Sequence, residues 1–181
     1  MLKYSVKLVK HLISRGLSPE LYHYHTCYST NKITFLLTSL SGSIVGYQHY
    51  RPLIAEKKKK NNPKTGRYFT YLPGETIGVF GYAQINPLLQ DLYIVEGLFK
   101  AGNLHRLGFN SIAVLTATPS PKMYNAQFKI LSQKYNLIGI GDPDPAGEKL
   151  VKFVGRGMTS PADIDEMSDA AILEFINEIK K

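Results

Sequence analysis

The sequence contains no tryptophan, a single cysteine and no long uninterrupted apolar segment. The lone Cys27 excludes an internal disulfide and a zinc ribbon built on paired Cys-x-x-Cys motifs, so we expect any bound metal to use oxygen ligands. Apolar stretches such as residues 111–117 are far shorter than the roughly 20 residues that a membrane-spanning helix needs. The first residues do not form a secretory signal pattern. We therefore expect a cytoplasmic protein that does not contact a membrane.

Two common nucleotide-binding motifs are also absent. No Gly-Lys-Ser or Gly-Lys-Thr occurs anywhere in the chain, which excludes a P-loop. Gly139-Ile140-Gly141 begins like a dinucleotide fingerprint, but Asp144 stands where the third glycine belongs. A carboxylate at that position would repel a pyrophosphate. A dinucleotide-binding Rossmann motif is therefore excluded as well.

Positive charge is abundant. The 22 Lys and Arg residues outnumber the 14 Asp and Glu residues, which gives a net charge of +8 and favours an anionic partner such as nucleic acid. Part of this charge lies in the run Lys57, Lys58, Lys59 and Lys60, which is either a solvated loop or an arm that contacts phosphates. Tyr68 and other aromatic residues nearby are either core residues or surfaces on which bases stack.

The order of apolar patterns predicts an α/β fold. A helix over residues 6–14, a hairpin over residues 33–50 and two strands over residues 67–72 and 76–80 make the first half mainly antiparallel. From residue 92 onward strands alternate with helices, which predicts βαβ units and a parallel sheet covered by helices. We expect a smaller α+β subdomain over residues 1–90 and a parallel-sheet domain over residues 91–181.

Carboxylates stand at three places in the second half: Glu96, the pair Asp142 and Asp144, and the pair Asp163 and Asp165. Glu96 and Asp142 each follow a predicted buried strand, and the carboxyl ends of parallel strands lie at one edge of a sheet. Clustered carboxylates recruit hard cations such as Mg²⁺ or Mn²⁺. The segment with Asp142 and Asp144 is also explained as a turn and a helix N-cap, and the segment with Asp163 and Asp165 as a loop and a cap before the final helix.

Val95-Glu96-Gly97, residues 113–118 and residues 142–147 follow one another in the chain. In this order they resemble the Toprim domain shared by topoisomerases and by bacterial and phage-type DNA primases. Upstream, Gly46-Tyr47-Gln48-His49-Tyr50-Arg51 and residues 66–76 resemble two segments of the primase catalytic core. The resemblance covers roughly residues 30–170 in order.

The resemblance implies a Toprim-like parallel sheet flanked by helices and a nucleotidyltransferase that makes RNA primers on single-stranded DNA. It implies catalytic roles for Glu96, Asp142 and Asp144, and Mg²⁺ or Mn²⁺ held by those residues with Asp163 and Asp165. Nucleoside triphosphates and the template strand would be its ligands. Arg51, Lys64 and Arg67 would lie along their path. The implied location is the cytosol of a bacterium or of a phage-infected host.

The sequence departs from the primase pattern in several ways. Lys100 stands where an acidic residue is usual, Pro143 replaces a glycine, and Arg67 replaces a lysine. The zinc-binding module and the helicase-binding tail are not in this sequence, so a separate zinc-binding subunit or a replicative helicase is an expected partner. A Toprim nuclease and a non-catalytic, primase-derived binding module are the alternative functions.

Overall fold

The computed structural model describes residues 2–56, 62–115 and 121–180. The chain begins with helix α1 (Leu2–Ser14), followed by an antiparallel sheet in the order β1-β2-β3-β4. Its strands are β1 (Tyr24–Cys27), β2 (Lys32–Thr38), β3 (Ile44–Tyr50) and β4 (Tyr68–Tyr71). In β2, Ile33, Phe35 and Leu37 are fully buried and the residues between them are not. This alternation places one face of the sheet on the core.

The second half forms a parallel sheet in the order β6-β5-β7-β8. Its elements, in chain order, are β5 (Asp91–Val95), α2 (Leu98–Arg106), β6 (Asn110–Ala113), α3 (Pro121–Leu131), β7 (Asn136–Gly141), α4 (Pro145–Val154), β8 (Gly157–Thr159) and α5 (Asp169–Ile179). All three strand pairs are parallel. The predicted fold class, a Toprim-like parallel sheet with flanking helices after a mixed α+β segment, is confirmed.

Both faces of the central strand β5 are buried. Leu92 and Ile94 pack in one cluster with apolar residues of α3 and α4, whereas Tyr93 and Val95 belong to a second cluster. That second cluster also contains side chains from α1, α2, α5 and the antiparallel sheet. The two sheets therefore share a core. The division into domains at residues 90 and 91 stays a prediction, although the change from antiparallel to parallel pairing falls there.

The predicted strand over residues 76–80 is wrong. Val79 forms an isolated antiparallel bridge with Thr38 at the end of β2, and Phe80 forms another with Ala113 in β6. The segment therefore connects the two sheets and belongs to neither. Strands β1 and β8 were not predicted, because β1 is half-exposed and β8 has only three residues between turns.

Among the described residues, none of the helices combines the length and the hydrophobicity that crossing a bilayer requires.

Candidate active site

Three carboxylates follow three neighbouring parallel strands. Glu96 follows β5, Asp142 follows β7, and Asp163 lies four residues beyond the end of β8. Because β5, β7 and β8 are neighbours in the sheet, the three residues stand along its carboxyl edge, as the sequence predicted for Glu96 and Asp142. All three are partly buried.

Two glycines let helix α4 pack directly against the end of β7. A Cβ atom on Gly147 would lie 2.2 Å from the backbone N and O atoms of Asp142. A Cβ atom on Gly141 would lie 2.2 Å from the carbonyl oxygen of Gly147. No side chain fits at either position. This close approach fixes the direction in which the loop at residues 142–144 leaves the sheet.

Lys100 lies between two of the edge carboxylates. Its Nζ atom donates to Asp142 Oδ1, and it donates to Asp163 Oδ1 at 3.0 Å. The Lys100 side chain is 8% exposed, whereas those of Asp142 and Asp163 are 20% and 30% exposed. Burial acts to lower the pKa of the Lys100 ammonium, but the bonds and charges of the two aspartates outweigh it and raise the pKa. Lys100 is therefore charged at neutral pH.

Asp144 caps helix α4. Its Oδ1 atom accepts hydrogen bonds from the backbone N–H groups of Ala146 at 2.9 Å and Gly147 at 2.8 Å. The capping interpretation of this residue is therefore confirmed. Capping does not exclude a second role, because the residue is exposed. Metal ligation by Asp144 stays a prediction.

Asp165 pairs with an arginine from the other end of the chain. Arg15, just after α1, donates to Asp165 Oδ2, and its guanidinium carbon lies 4.4 Å from the centroid of the Phe99 ring. The Asp165 side chain is 6% exposed. Burial acts to lower the pKa of Arg15, but the hydrogen bond and charge of Asp165 raise it. The pair connects the N-terminal helix to the acidic segment after β8.

These contacts bear on the expected divalent cation. Carboxylate oxygens suit Mg²⁺ and Mn²⁺ chemically. However, within residues 2–56, 62–115 and 121–180, no three His, Cys, Asp or Glu side chains are arranged to hold a metal ion. Lys100 bonds Asp142 and Asp163, and Arg15 bonds Asp165. The residues as arranged therefore do not form a ready divalent-cation site, and the Mg²⁺ or Mn²⁺ cofactor stays a prediction.

Among the described residues, those predicted to contact nucleic acid lie on and beside the antiparallel sheet. The Arg67 guanidinium donates to the carbonyl oxygens of Ile54 at 2.6 Å and Ala55 at 2.8 Å, and Arg51 donates to Gly66 O at 3.1 Å. Both arginines therefore connect the segment at residues 51–55 to the segment at residues 66–67. Lys64 is exposed. The run Lys57, Lys58, Lys59 and Lys60 lies outside the described residues.

Tyr68 is packed rather than presented to solvent. Its ring stacks on Tyr50 with centroids 5.1 Å apart, and it contacts the core cluster. Burial raises the pKa of Tyr68 to about 12. Base stacking by this residue stays a prediction, and the core interpretation agrees better with its position.

The other face of the same sheet carries a row of rings. Tyr47 and Tyr71 pair across β3 and β4 with ring centroids 5.3 Å apart, and His49 and Phe69 form the next pair at 6.0 Å. All four are at least partly exposed. Burial, together with the charges of nearby cationic side chains, lowers the pKa of His49 to about 4.

Sequence reasoning missed Arg15 completely. No local pattern marks it, because its partner lies 150 residues away in the chain. Lys100 was identified only as a departure from the primase pattern, and its two ion pairs were not foreseen. The usable signal for Lys100 was a lone cation in the first turn of a helix, where the macrodipole disfavours positive charge.

The fold is similar to solved primase structures. The chain superposes on the structure of the DnaG catalytic core with a TM-score of 0.67 and 15% identity, covering 97% of this chain and 74% of that one. A DnaG primase catalytic domain bound to single-stranded DNA matches with a TM-score of 0.64, 15% identity and the same shares. The primase fragment of the bacteriophage T7 primase-helicase protein matches with a TM-score of 0.61 and 16% identity, covering 91% and 72%.

No protein-family model and no curated protein matches the sequence. The likeness to primases therefore lies in the three-dimensional arrangement. The chain has the fold of a Toprim-containing primase catalytic core.

Proposed function

We propose that this chain is a primase-like nucleotidyltransferase that makes RNA primers on single-stranded DNA. The observation that supports this proposal best is the alignment of Glu96, Asp142 and Asp163 along one edge of a sheet, within a fold shared with primase catalytic cores. The match includes the antiparallel sheet as well as the parallel one, since it covers 97% of the chain. The antiparallel sheet argues against a Toprim nuclease, because such nucleases lack this region.

In the proposed reaction, the 3′-hydroxyl oxygen of one nucleotide attacks the α-phosphorus of a nucleoside triphosphate. The bond from that phosphorus to the bridging oxygen of the leaving pyrophosphate breaks, and the hydroxyl proton passes to a base or to water. Glu96, the carboxylate that directly follows the inner strand β5, is our candidate for orienting the attacking hydroxyl. Lys64 and the run of residues 57–60 are the candidates for phosphate contacts.

Mg²⁺ or Mn²⁺ remains part of the proposal as a cofactor. Bound to carboxylates, such an ion would lower the negative charge of the phosphates. Glu96, Asp142 and Asp144 are the proposed ligands. The ion would have to compete with the Lys100 ammonium for Asp142, because that carboxylate is already bonded.

The proposed partners are single-stranded DNA, nucleoside triphosphates, and a replicative helicase or a separate zinc-binding subunit. Three similar structures support this set: one primase domain is bound to single-stranded DNA, one includes a zinc-binding domain, and one comes from a primase-helicase protein. The net charge of +8 agrees with a nucleic-acid ligand.

Labelled-nucleotide incorporation on single-stranded DNA, with template degradation followed in the same tube and Mg²⁺ or Mn²⁺ present, tests the proposal. We expect oligoribonucleotides from the wild-type chain, supplied where needed with a helicase or zinc-binding subunit. Asp142→Asn should abolish synthesis. Asp144→Asn should also abolish it while keeping the helix cap, since an amide oxygen caps as well as a carboxylate. Asp169→Asn on the exposed surface is the matched control and should leave synthesis unchanged.

Template degradation without triphosphates would replace this proposal by a nuclease. A third result, DNA binding without either reaction, would favour a non-catalytic binding module. A specific observation supports the binding module: the Lys100 ammonium bonds both Asp142 and Asp163. Binding that is unaffected by EDTA and by Glu96→Gln, with no synthesis under any triphosphate mixture, would establish it.

A further inference from the structure

Lys100 occupies an unusual position for a cation. It lies in the first turn of α2, which begins at Leu98 after the N-cap Gly97 and has no acidic residue in that turn. The N-terminus of a helix carries partial positive charge, so an ammonium ion there is disfavoured unless anions stand close by. Burial of the side chain to 8% exposure adds a second cost. Only a compensating contact makes this position stable.

The compensating contact comes from residues that lie beyond the ends of two strands. Asp142 follows β7 and Asp163 lies beyond β8, and both carboxylates bond the same Nζ atom. Without a cation between them, two partly buried carboxylates would repel each other. An ammonium ion has three N–H donors, and two of them are used here. The geometry therefore places one positive charge at the point where the carboxyl ends of β7 and β8 meet.

We propose that Lys100 is a built-in counter-ion that takes the place of a divalent cation between Asp142 and Asp163. Asp142 and Asp163 then have a cationic partner without bound metal, and a divalent ion binds between them only by displacing the ammonium. The role of Lys100 as a counter-ion does not depend on primer synthesis, because metal binding and stability test it in the absence of nucleotides.

The test compares the wild-type chain with Lys100→Met, which keeps the length of the side chain and removes its charge. Mn²⁺ is titrated into metal-free protein by calorimetry, and thermal unfolding is recorded with EDTA and with Mn²⁺. We expect the wild-type melting temperature to be the same in both solutions. We expect Lys100→Met to bind Mn²⁺ at least about tenfold more tightly than wild type, because competition and charge repulsion are removed.

In EDTA, Lys100→Met should melt roughly 5 °C or more below wild type, because two carboxylates lose their cation, and Mn²⁺ should recover most of that loss. The triple variant Lys100→Met, Asp142→Asn, Asp163→Asn is the matched control. It should fold without metal and lack the tightened Mn²⁺ binding. If Lys100→Met does not fold in EDTA, folding on addition of Mn²⁺ gives the same information.

Two results would overturn the inference. One is wild-type Mn²⁺ affinity equal to or tighter than that of Lys100→Met, since Lys100 would then not occupy the place of the ion. The other is a triple variant as unstable as Lys100→Met, which would mean that the instability does not come from two carboxylates without their cation. Either result leaves the primer-synthesis proposal open, and failure of synthesis leaves this inference untouched.

Discussion

The pair between Arg15 and Asp165 should contribute strongly to stability, and Arg15→Met tests this. Methionine keeps most of the aliphatic stem and removes the guanidinium. The change leaves the Asp165 carboxylate, which is 6% exposed, without its cationic partner. It also removes the contact with the Phe99 ring at 4.4 Å. Because Arg15 follows α1 and Asp165 follows β8, the loss should weaken the attachment of the N-terminal helix.

The expected magnitude follows from burial. Breaking a buried ion pair by removing one partner costs about 3–5 kcal/mol. Arg15 is 28% exposed, so water screens part of that interaction, and we reduce the figure to about 2–3 kcal/mol. The cation–π contact adds roughly 0.5–1 kcal/mol. The sum is about 3 kcal/mol, which lowers the melting temperature of a chain of this size by roughly 6–12 °C.

Urea unfolding of Arg15→Met, Asp165→Asn and the double variant measures the coupling, which we expect to exceed about 1 kcal/mol. Arg106→Met is the matched control, since Arg106 pairs with Asp169 on the surface, where both side chains are at least 33% exposed. Its loss should be much smaller and should vanish at about 0.5 M salt, unlike that of Arg15→Met. A coupling near zero, or equal losses for the two arginines, would refute the burial argument.

Three further predictions concern single positions. His105 accepts a hydrogen bond from the Tyr22 hydroxyl through Nδ1 and donates to Ser111 O through Nε2, so the neutral ring fits the fold, and burial lowers its pKa. The contribution of the neutral His105 ring to stability is therefore present above about pH 6.5 and lost as the pH falls below that value. The melting temperature should fall between pH 7.5 and about pH 5, and His105→Gln should reduce that fall. An equal fall in His105→Gln would contradict this assignment. Asp144→Ala should cost about 1 kcal/mol in urea unfolding through loss of the helix cap, whereas Asp144→Asn should cost little, and equal losses would mean that the cap is not the cause. Gly147→Ala should cost more than about 2 kcal/mol because its Cβ would lie 2.2 Å from backbone atoms of Asp142. Gly97→Ala, with no neighbour closer than 3.8 Å, should cost at most about 1 kcal/mol through its N-cap position. Similar losses would contradict the packing of α4 on β7.

Much of the fold was predictable because its signals are local. The alternation of Ile33, Phe35 and Leu37 marks a strand with one buried face, and the continuous apolar run of β5 marks a strand buried on both faces. Segments that bridge separate elements were not predictable in the same way. Val79 and Phe80 have the composition of a strand, but their partners belong to two different sheets.

The site was predictable in part for the same reason. Parallel strands bring their carboxyl ends together, so Glu96 and Asp142 could be placed at one edge from their positions after apolar runs. The role of each carboxylate was not visible. Asp142 bonds an ammonium, Asp144 caps a helix and Asp165 bonds a guanidinium, although all three are the same residue type.

The sequence by itself determined the order of most strands and helices and the edge at which the carboxylates gather, because periodicity and chain connectivity are properties of neighbouring residues. Only the tertiary structure decided which cation each carboxylate meets. Lys100 and Arg15 reach Asp142 and Asp165 across 42 and 150 residues of chain. Such pairs depend on how separate elements pack, and no local sequence pattern indicates the distances between packed elements. That is why a set of residues that looks like a metal site in sequence holds an ammonium ion in the folded chain.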